Sequence, residues 1–143
     1  MSDRSHIRFK SAVPQFTVPD IVRTAEYYRD ILGFEIAGYW NGQKAGFDTD
    51  PPPVFGIVER DDVQLFFNRA NQSDVRTGRA RGGYDAYFHV TGIDAFADEV
   101  RRRGAEIIDG PDDRVYGQRE IVIRDCNGLI LAFAQDLSPQ PSR

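Results

Sequence analysis

The chain has 143 residues, 41% of them hydrophobic and 28% charged, which suits one soluble globular domain with room for a real core. Eighteen Lys and Arg against 22 Asp and Glu give a net charge of −4 and a pI near 5.1, which argues against a nucleic-acid or anionic-membrane surface and is permissive toward cationic small ligands. The first ten residues are too polar for a signal peptide, and no apolar run approaches the ~18 residues of a membrane span. The single cysteine, Cys126, permits no intrachain disulfide, so a reducing cytoplasm is the expected compartment.

Residues 1–10 read as a frayed tail, and residues 137–143 as a second one. Residues 12–18 alternate as a strand, with Phe16 and Val18 on one face and Val13, Gln15 and Thr17 on the other. Asp20 is a good N-cap for a helix whose apolar stripe is Ile21, Ala25, Tyr28 and Leu32, and Gly33 supplies a left-handed stop. Residues 34–40 return as a strand, and residues 41–53 read as a loop holding a short strand near Ala45. Two strands, 54–59 and 63–68, form a hairpin across Arg60, Asp61 and Asp62. In the second, Val63, Leu65 and Phe67 oppose Gln64, Phe66 and Asn68.

Residues 70–83 are polar, aperiodic and glycine-bearing, the pattern of a linker, and Arg76, Arg79 and Arg81 there read as solvated charges. The first pattern then repeats. Phe16, Val18, Ile21 and Ala25 recur as Phe88, Val90, Ile93 and Ala97 at an offset of 72, while Val63, Leu65 and Phe67 recur as Leu129, Leu131 and Phe133 at an offset of 66. Within the repeat, residues 84–91 are a strand, Ile93, Ala97 and Val100 a helix stripe, residues 105–108 a strand and 109–116 a loop. Residues 118–124 and 129–134 pair about Asn127-Gly128. The expected fold class is α+β, with tandem βαβββ modules at residues 11–69 and 84–136 forming one domain, 11–136. A sheet that packs a helix on one face and carries aromatics on the other leaves a cup for a ligand.

The stretches Val18-Pro19-Asp20, 25–34, 116–125 and 127–133 together resemble the vicinal oxygen chelate superfamily, the glyoxalase, bleomycin-resistance and dioxygenase group. The resemblance implies paired βαβββ modules around a U-shaped cavity, in a homodimer. Metal-dependent members carry His, Gln or Glu ligands at positions that correspond here to Val13, Phe66, Asp85 and Ala132. Three of these have no donor atom, and one carboxylate is a poor site for zinc, nickel or iron. The chain therefore resembles the metal-free, bleomycin-resistance-like branch, which implies no cofactor and no bound metal. Binding of a small aromatic-rich molecule, such as an antibiotic, is the expected function. The alternatives are a superfamily lyase, isomerase or dioxygenase with a non-standard metal site, and a regulatory or interaction module.

The candidate ligand-binding residues are Gln15, Trp40, Gln64, Phe66, Asp85, Tyr87, His89, Tyr116 and Arg119, and no residue is assigned a catalytic role. Most lie on the strand faces turned away from the helices, where they serve either a ligand or a dimer interface. His89 and Asp85 share a strand face but lie about 13 Å apart, too far for an unaided dyad. Trp40, with Phe47, Phe55 and Tyr116, offers stacking surface at a cavity rim or packs in the core or a dimer interface. Arg119 contacts a ligand anion or pairs with Glu120 or Asp125. Cys126 has no histidine beside it in sequence and reads as unreactive. No P-loop, dinucleotide fingerprint, serine-hydrolase elbow or zinc ribbon occurs.

Overall fold

Strand and helix periodicities resolve into nine strands and two helices in a computed structural model that describes residues 6–69 and 83–138. The order is β1 (Gln15–Val18), α1 (Ile21–Asp30), β2 (Glu35–Trp40), β3 (Ala45–Gly46), β4 (Phe55–Arg60), β5 (Val63–Arg69), β6 (Ala86–His89), α2 (Ile93–Arg102), β7 (Glu106–Asp113), β8 (Gln118–Arg124) and β9 (Ile130–Asp136). One sheet runs β1-β5-β4-β2-β3 and the other β6-β9-β8-β7. This is an α+β fold of two βαβββ modules, the first with β3 added at its edge. Most of the expected linker, with Arg76, Arg79 and Arg81, lies outside the described residues.

The repeat is visible in the pairing. In the first sheet Gln15 stands opposite Phe66 on a parallel neighbour, and in the second Tyr87 stands opposite Ala132 in the same way. These are equivalent pairs at the two sequence offsets. The first helix starts where Asp20 Oδ1 accepts from the Arg23 amide at 3.0 Å, and Gly33 follows it at φ 76. The second starts after Gly92, which has no side chain to cap with. Gln135 of β9 supplies the acceptor instead, 2.8 Å from the Ile93 amide.

Both helices pack on one continuous apolar core that includes Phe16, Val18, Tyr28 and Phe67 from the first module and Phe88, Val100, Ile121 and Phe133 from the second. Each module also sends a hairpin turn to the other's helix. The Tyr28 hydroxyl donates to Asp125 at 2.6 Å, while Asp125 also accepts from the Asn127 and Leu129 amides and so shapes the β8–β9 turn. In the mirrored contact, Arg60 at the end of β4, beside the β4–β5 turn, donates to Glu99 of α2 at 2.8 and 3.1 Å and lies 5.5 Å from the Phe96 ring centre. Tyr28→Phe leaves a buried carboxylate short of one charge-assisted bond, and a loss of about 2 kcal/mol is expected in urea-induced unfolding.

Two expectations need correction. The stretch 109–116, read as a loop, is strand as far as Asp113. Register shifts against β8 between Ile107 and Asp109 and between Asp109 and Asp112 absorb Gly110 and Pro111, and pairing then resumes at Asp112 and Asp113. Arg119 meets neither Glu120 nor Asp125. It alternates to the helix side of β8, where it donates to Asp94 at 2.8 Å and Asp113 at 2.9 Å.

Candidate functional site

Turned away from the helices, the first sheet carries two rows of side chains fixed by its register. Trp40, Phe55, Asn68 and Thr17 stand across the strands in one row, and Gly38, Ile57, Phe66 and Gln15 in the next. Phe55 and Phe66 meet at 5.2 Å between ring centres. Asn68 Oδ1 accepts from Gln15 at 3.0 Å and from Thr17 at 3.3 Å, and Gln64 donates to Glu59 at 3.2 Å. The surface is thus aromatic at one end and amide-lined at the other, and Trp40 remains 40% exposed on it. Of the aromatics grouped with Trp40 in the sequence, Phe55 lies beside it. Phe47 instead lines a groove along α1 with Tyr39 and Glu26, and Tyr116 belongs with the second sheet.

The corresponding face of the second sheet is built around a residue that sequence reasoning did not select as a site. Glu120 on β8 is completely buried. Its carboxylate accepts from the hydroxyls of Tyr87 and Tyr116 at 2.5 Å each, from Tyr84 at 3.4 Å and from Arg114 Nε at 3.0 Å. Arg114 reaches on to Asp109 at 2.9 Å and Asp112 at 2.5 Å. Burial pushes the Glu120 carboxyl up, but the bonds from Tyr116, Tyr87 and Arg114 outweigh it and hold the group below the usual carboxylate range. Desolvation, followed by the bond to Glu120, raises the Tyr87 phenol well above its ordinary value, so it stays protonated and donates. The signal available in the sequence was a lone carboxylate heading the apolar run Ile121-Val122-Ile123.

The remaining candidates divide. His89 packs edge-on to Tyr87, 5.4 Å between ring centres. It also lines a cavity of about 1070 Å³ at the junction of the modules, with Phe88, Phe96 and Phe133 at its apolar side and Arg60 and Glu99 at its polar side. Asp85 has its carboxylate on the Ile130 amide at 2.8 Å, tying β6 to β9. Burial first, then Asp125, pushes the Cys126 thiol up to about 11, so it is protonated at neutral pH and a poor nucleophile.

A metal does not fit the positions that metal-dependent relatives use. Val13, Phe66 and Ala132 offer no donor atom, and Asp85 is already engaged with the backbone. Among the described residues no group of three or more His, Cys, Asp or Glu side chains is placed to hold an ion.

A sequence model of the Glyoxalase/Bleomycin resistance protein/Dioxygenase superfamily matches residues 6–133. The chain belongs to this superfamily. No curated protein matches it by sequence. Solved superfamily-like structures share its fold at low identity. A glyoxalase-related enzyme from Clostridium phytofermentans is 18% identical with a TM-score of 0.65, the match covering 92% of this chain and 98% of that one. TnmS3, an antibiotic-binding protein from Streptomyces sp. CB03234, is 18% identical at 0.64, covering 91% and 99%. The bleomycin resistance determinant encoded on transposon Tn5 is also 18% identical at 0.64, covering 90% and 98%. At this identity the likeness shows the superfamily fold, and the fold hosts both enzymes and binding proteins. Among the described residues no helix is long and apolar enough to cross a membrane.

Proposed function

We propose that this superfamily member binds and sequesters a small aromatic-rich molecule without a metal, as a homodimer in the cytoplasm, with residues 11–136 as the binding unit. The observation that carries the reading is the chemistry of the two helix-free sheet faces. Where a metal-dependent site would need convergent donors, they present Trp40, Phe55, Phe66 and Tyr87, with Tyr116 reaching in from the β7–β8 connection, beside Gln15, Gln64 and Asn68. Flat aromatic ligands gain from such surfaces by stacking and from a few placed amides by orientation, and sequestration needs affinity alone. The antibiotic-binding and bleomycin-resistance proteins of the same fold support the reading.

A thermal-shift screen of aromatic antibiotics and related metabolites is expected to give hits that stabilise the protein by several degrees and quench Trp40 fluorescence. Mass at the elution peak, measured by light scattering, is expected to be twice the chain mass. Stoichiometric zinc, nickel or iron retained through purification without chelators, and lost in His89→Ala, would overturn the reading in favour of a lyase, isomerase or dioxygenase. A well-folded dimer with no hits would instead favour a regulatory or interaction module.

A further inference from the structure

We propose that Tyr84, Tyr87 and Tyr116 form a receptor for an organic cation, with Glu120 as its negative floor, and that this subsite takes the charged end of the ligand. The inference rests on the small-molecule-binding reading above and assigns a chemical class to one part of that site.

Tyrosine normally buries its ring and leaves its hydroxyl in water, because the ring is apolar and the hydroxyl is readily hydrated. Here the arrangement is inverted three times. All three hydroxyls point to one carboxylate that solvent does not reach, while the residues as a whole remain 43%, 37% and 60% exposed for Tyr84, Tyr87 and Tyr116. Rings that share a buried anchor and emerge into solvent must fan outward from it. Tyr84 and Tyr87 stand 5.8 Å apart between centres with 44° between their planes, and His89 extends the wall on the far side of Tyr87. The hydroxyl bonds immobilise the rings in advance, so a ligand does not bear the entropy of ordering them.

The electrostatics favour a cation. Three carboxylates, Asp109, Asp112 and Glu120, surround the single guanidinium of Arg114, which leaves the group net negative. A phenol donating to a carboxylate has an electron-enriched ring, which strengthens the attraction of its face for positive charge. Arg119, next to Glu120 on β8, is held on the helix side by Asp94 and Asp113 and does not compete. A bare metal ion gains little, because the Glu120 oxygens already accept from four donors. An alkylammonium or guanidinium group needs no open lone pair and can rest on ring faces alone.

The test uses benzyltrimethylammonium as probe, with benzyl alcohol as its neutral counterpart, titrated against the full chain by NMR. The methyl singlet of the cation is expected to move upfield and broaden, and the neutral probe to bind at least about tenfold more weakly. Tyr116→Phe, which keeps the ring and loses the hydroxyl, is expected to bind the cation within about threefold of the parent chain. Tyr116→Leu is expected to lose about tenfold. Tyr116 is the most exposed of the three, so both variants should stay folded. The wild-type comparison of charged and neutral probes stands even if they do not. Equal binding of both probes, or equal effects of the Phe and Leu changes, would overturn the receptor. Neutral aromatic hits that quench Trp40, with no cation binding, would overturn it while leaving sequestration intact. Cation binding without any library hit would uphold the receptor and overturn only the sequestration of an antibiotic-like molecule.

Discussion

Glu120→Ala is expected to lower the unfolding free energy by roughly 2–4 kcal/mol, or the melting temperature by about 10 °C for a chain of this size. The carboxylate is fully buried and holds elements from three parts of the second module: Tyr84 and Tyr87 at β6, Arg114 and Tyr116 in the β7–β8 connection, and β8 itself. Removing it strands no charge, since Arg114 keeps Asp109 and Asp112, and the phenols can turn to water. The loss is therefore smaller than for a buried pair cut in half, for which about 3–5 kcal/mol is usual. It is still large, because several charge-assisted bonds go at once and a void replaces the side chain.

The same residue sets an acid limb of stability. Its folded-state pKa lies below the ordinary value of 4.5. An acid whose pKa is depressed by folding contributes stability that is complete above its unfolded value and disappears as the pH falls through the folded one. The difference in stability between the parent chain and Glu120→Gln is thus expected to be constant from neutral pH down to about 5 and to shrink below about 4.5. Urea titrations at several pH values measure it. A difference that grows toward acid would contradict the assignment.

Gly110→Ala is the second large effect, with an expected loss of about 3–5 kcal/mol and a reduced yield of folded protein. Gly110 sits at φ 80, where a side chain is strained. An added Cβ would also stand 2.2 Å from the Glu120 carbonyl oxygen and 3.2 Å from the Asp112 amide nitrogen. Both obstacles are backbone, so relief requires β7 to move off β8 where the bulged register already leaves few pairings. Gly117→Ala is the matched control. Its φ of 87 carries the same conformational strain, but nothing lies within 4 Å of the added atom, so about 1 kcal/mol is expected. Equal losses at the two positions would mean that conformational strain, and not the close approach of β8, accounts for Gly110.

Much of the fold was legible because its signals are local. Alternation separates Gln15 and Thr17 from Phe16 and Val18 whatever lies elsewhere, and the helical spacing of Ile21, Ala25 and Tyr28 needs no partner to be read. The offsets of 72 and 66 carried long-range information, since they also map Gln15 onto Tyr87 and Phe66 onto Ala132, the residues that the fold places in two equivalent parallel pairs. The loop assigned to 109–116 went wrong for the converse reason. Gly110 and Pro111 are turn signals in isolation, and only the continuing edge of β8 keeps that stretch in the sheet.

The candidate site was legible by face and not by partner. Alternation placed Phe66, Tyr87 and His89 away from the helices, but it carries no information on what a side chain meets across a sheet. Arg119 was read against its sequence neighbours, Glu120 and Asp125. The fold instead pairs it with Asp94, 25 positions earlier, and with Asp113. Tyr116 was grouped with Trp40 as stacking surface at a cavity rim or as core or dimer-interface packing, and it shares a carboxylate with Tyr84 and Tyr87.

By itself, then, the sequence determined the duplicated α+β architecture and the lack of donors at Val13, Phe66 and Ala132, since both depend only on residue type and spacing. Tertiary structure alone decided that Glu120 is buried and that three phenols and Arg114 converge on it. Burial of a charge depends on which distant groups compensate for its lost water, and those groups lie up to 36 residues away along the chain.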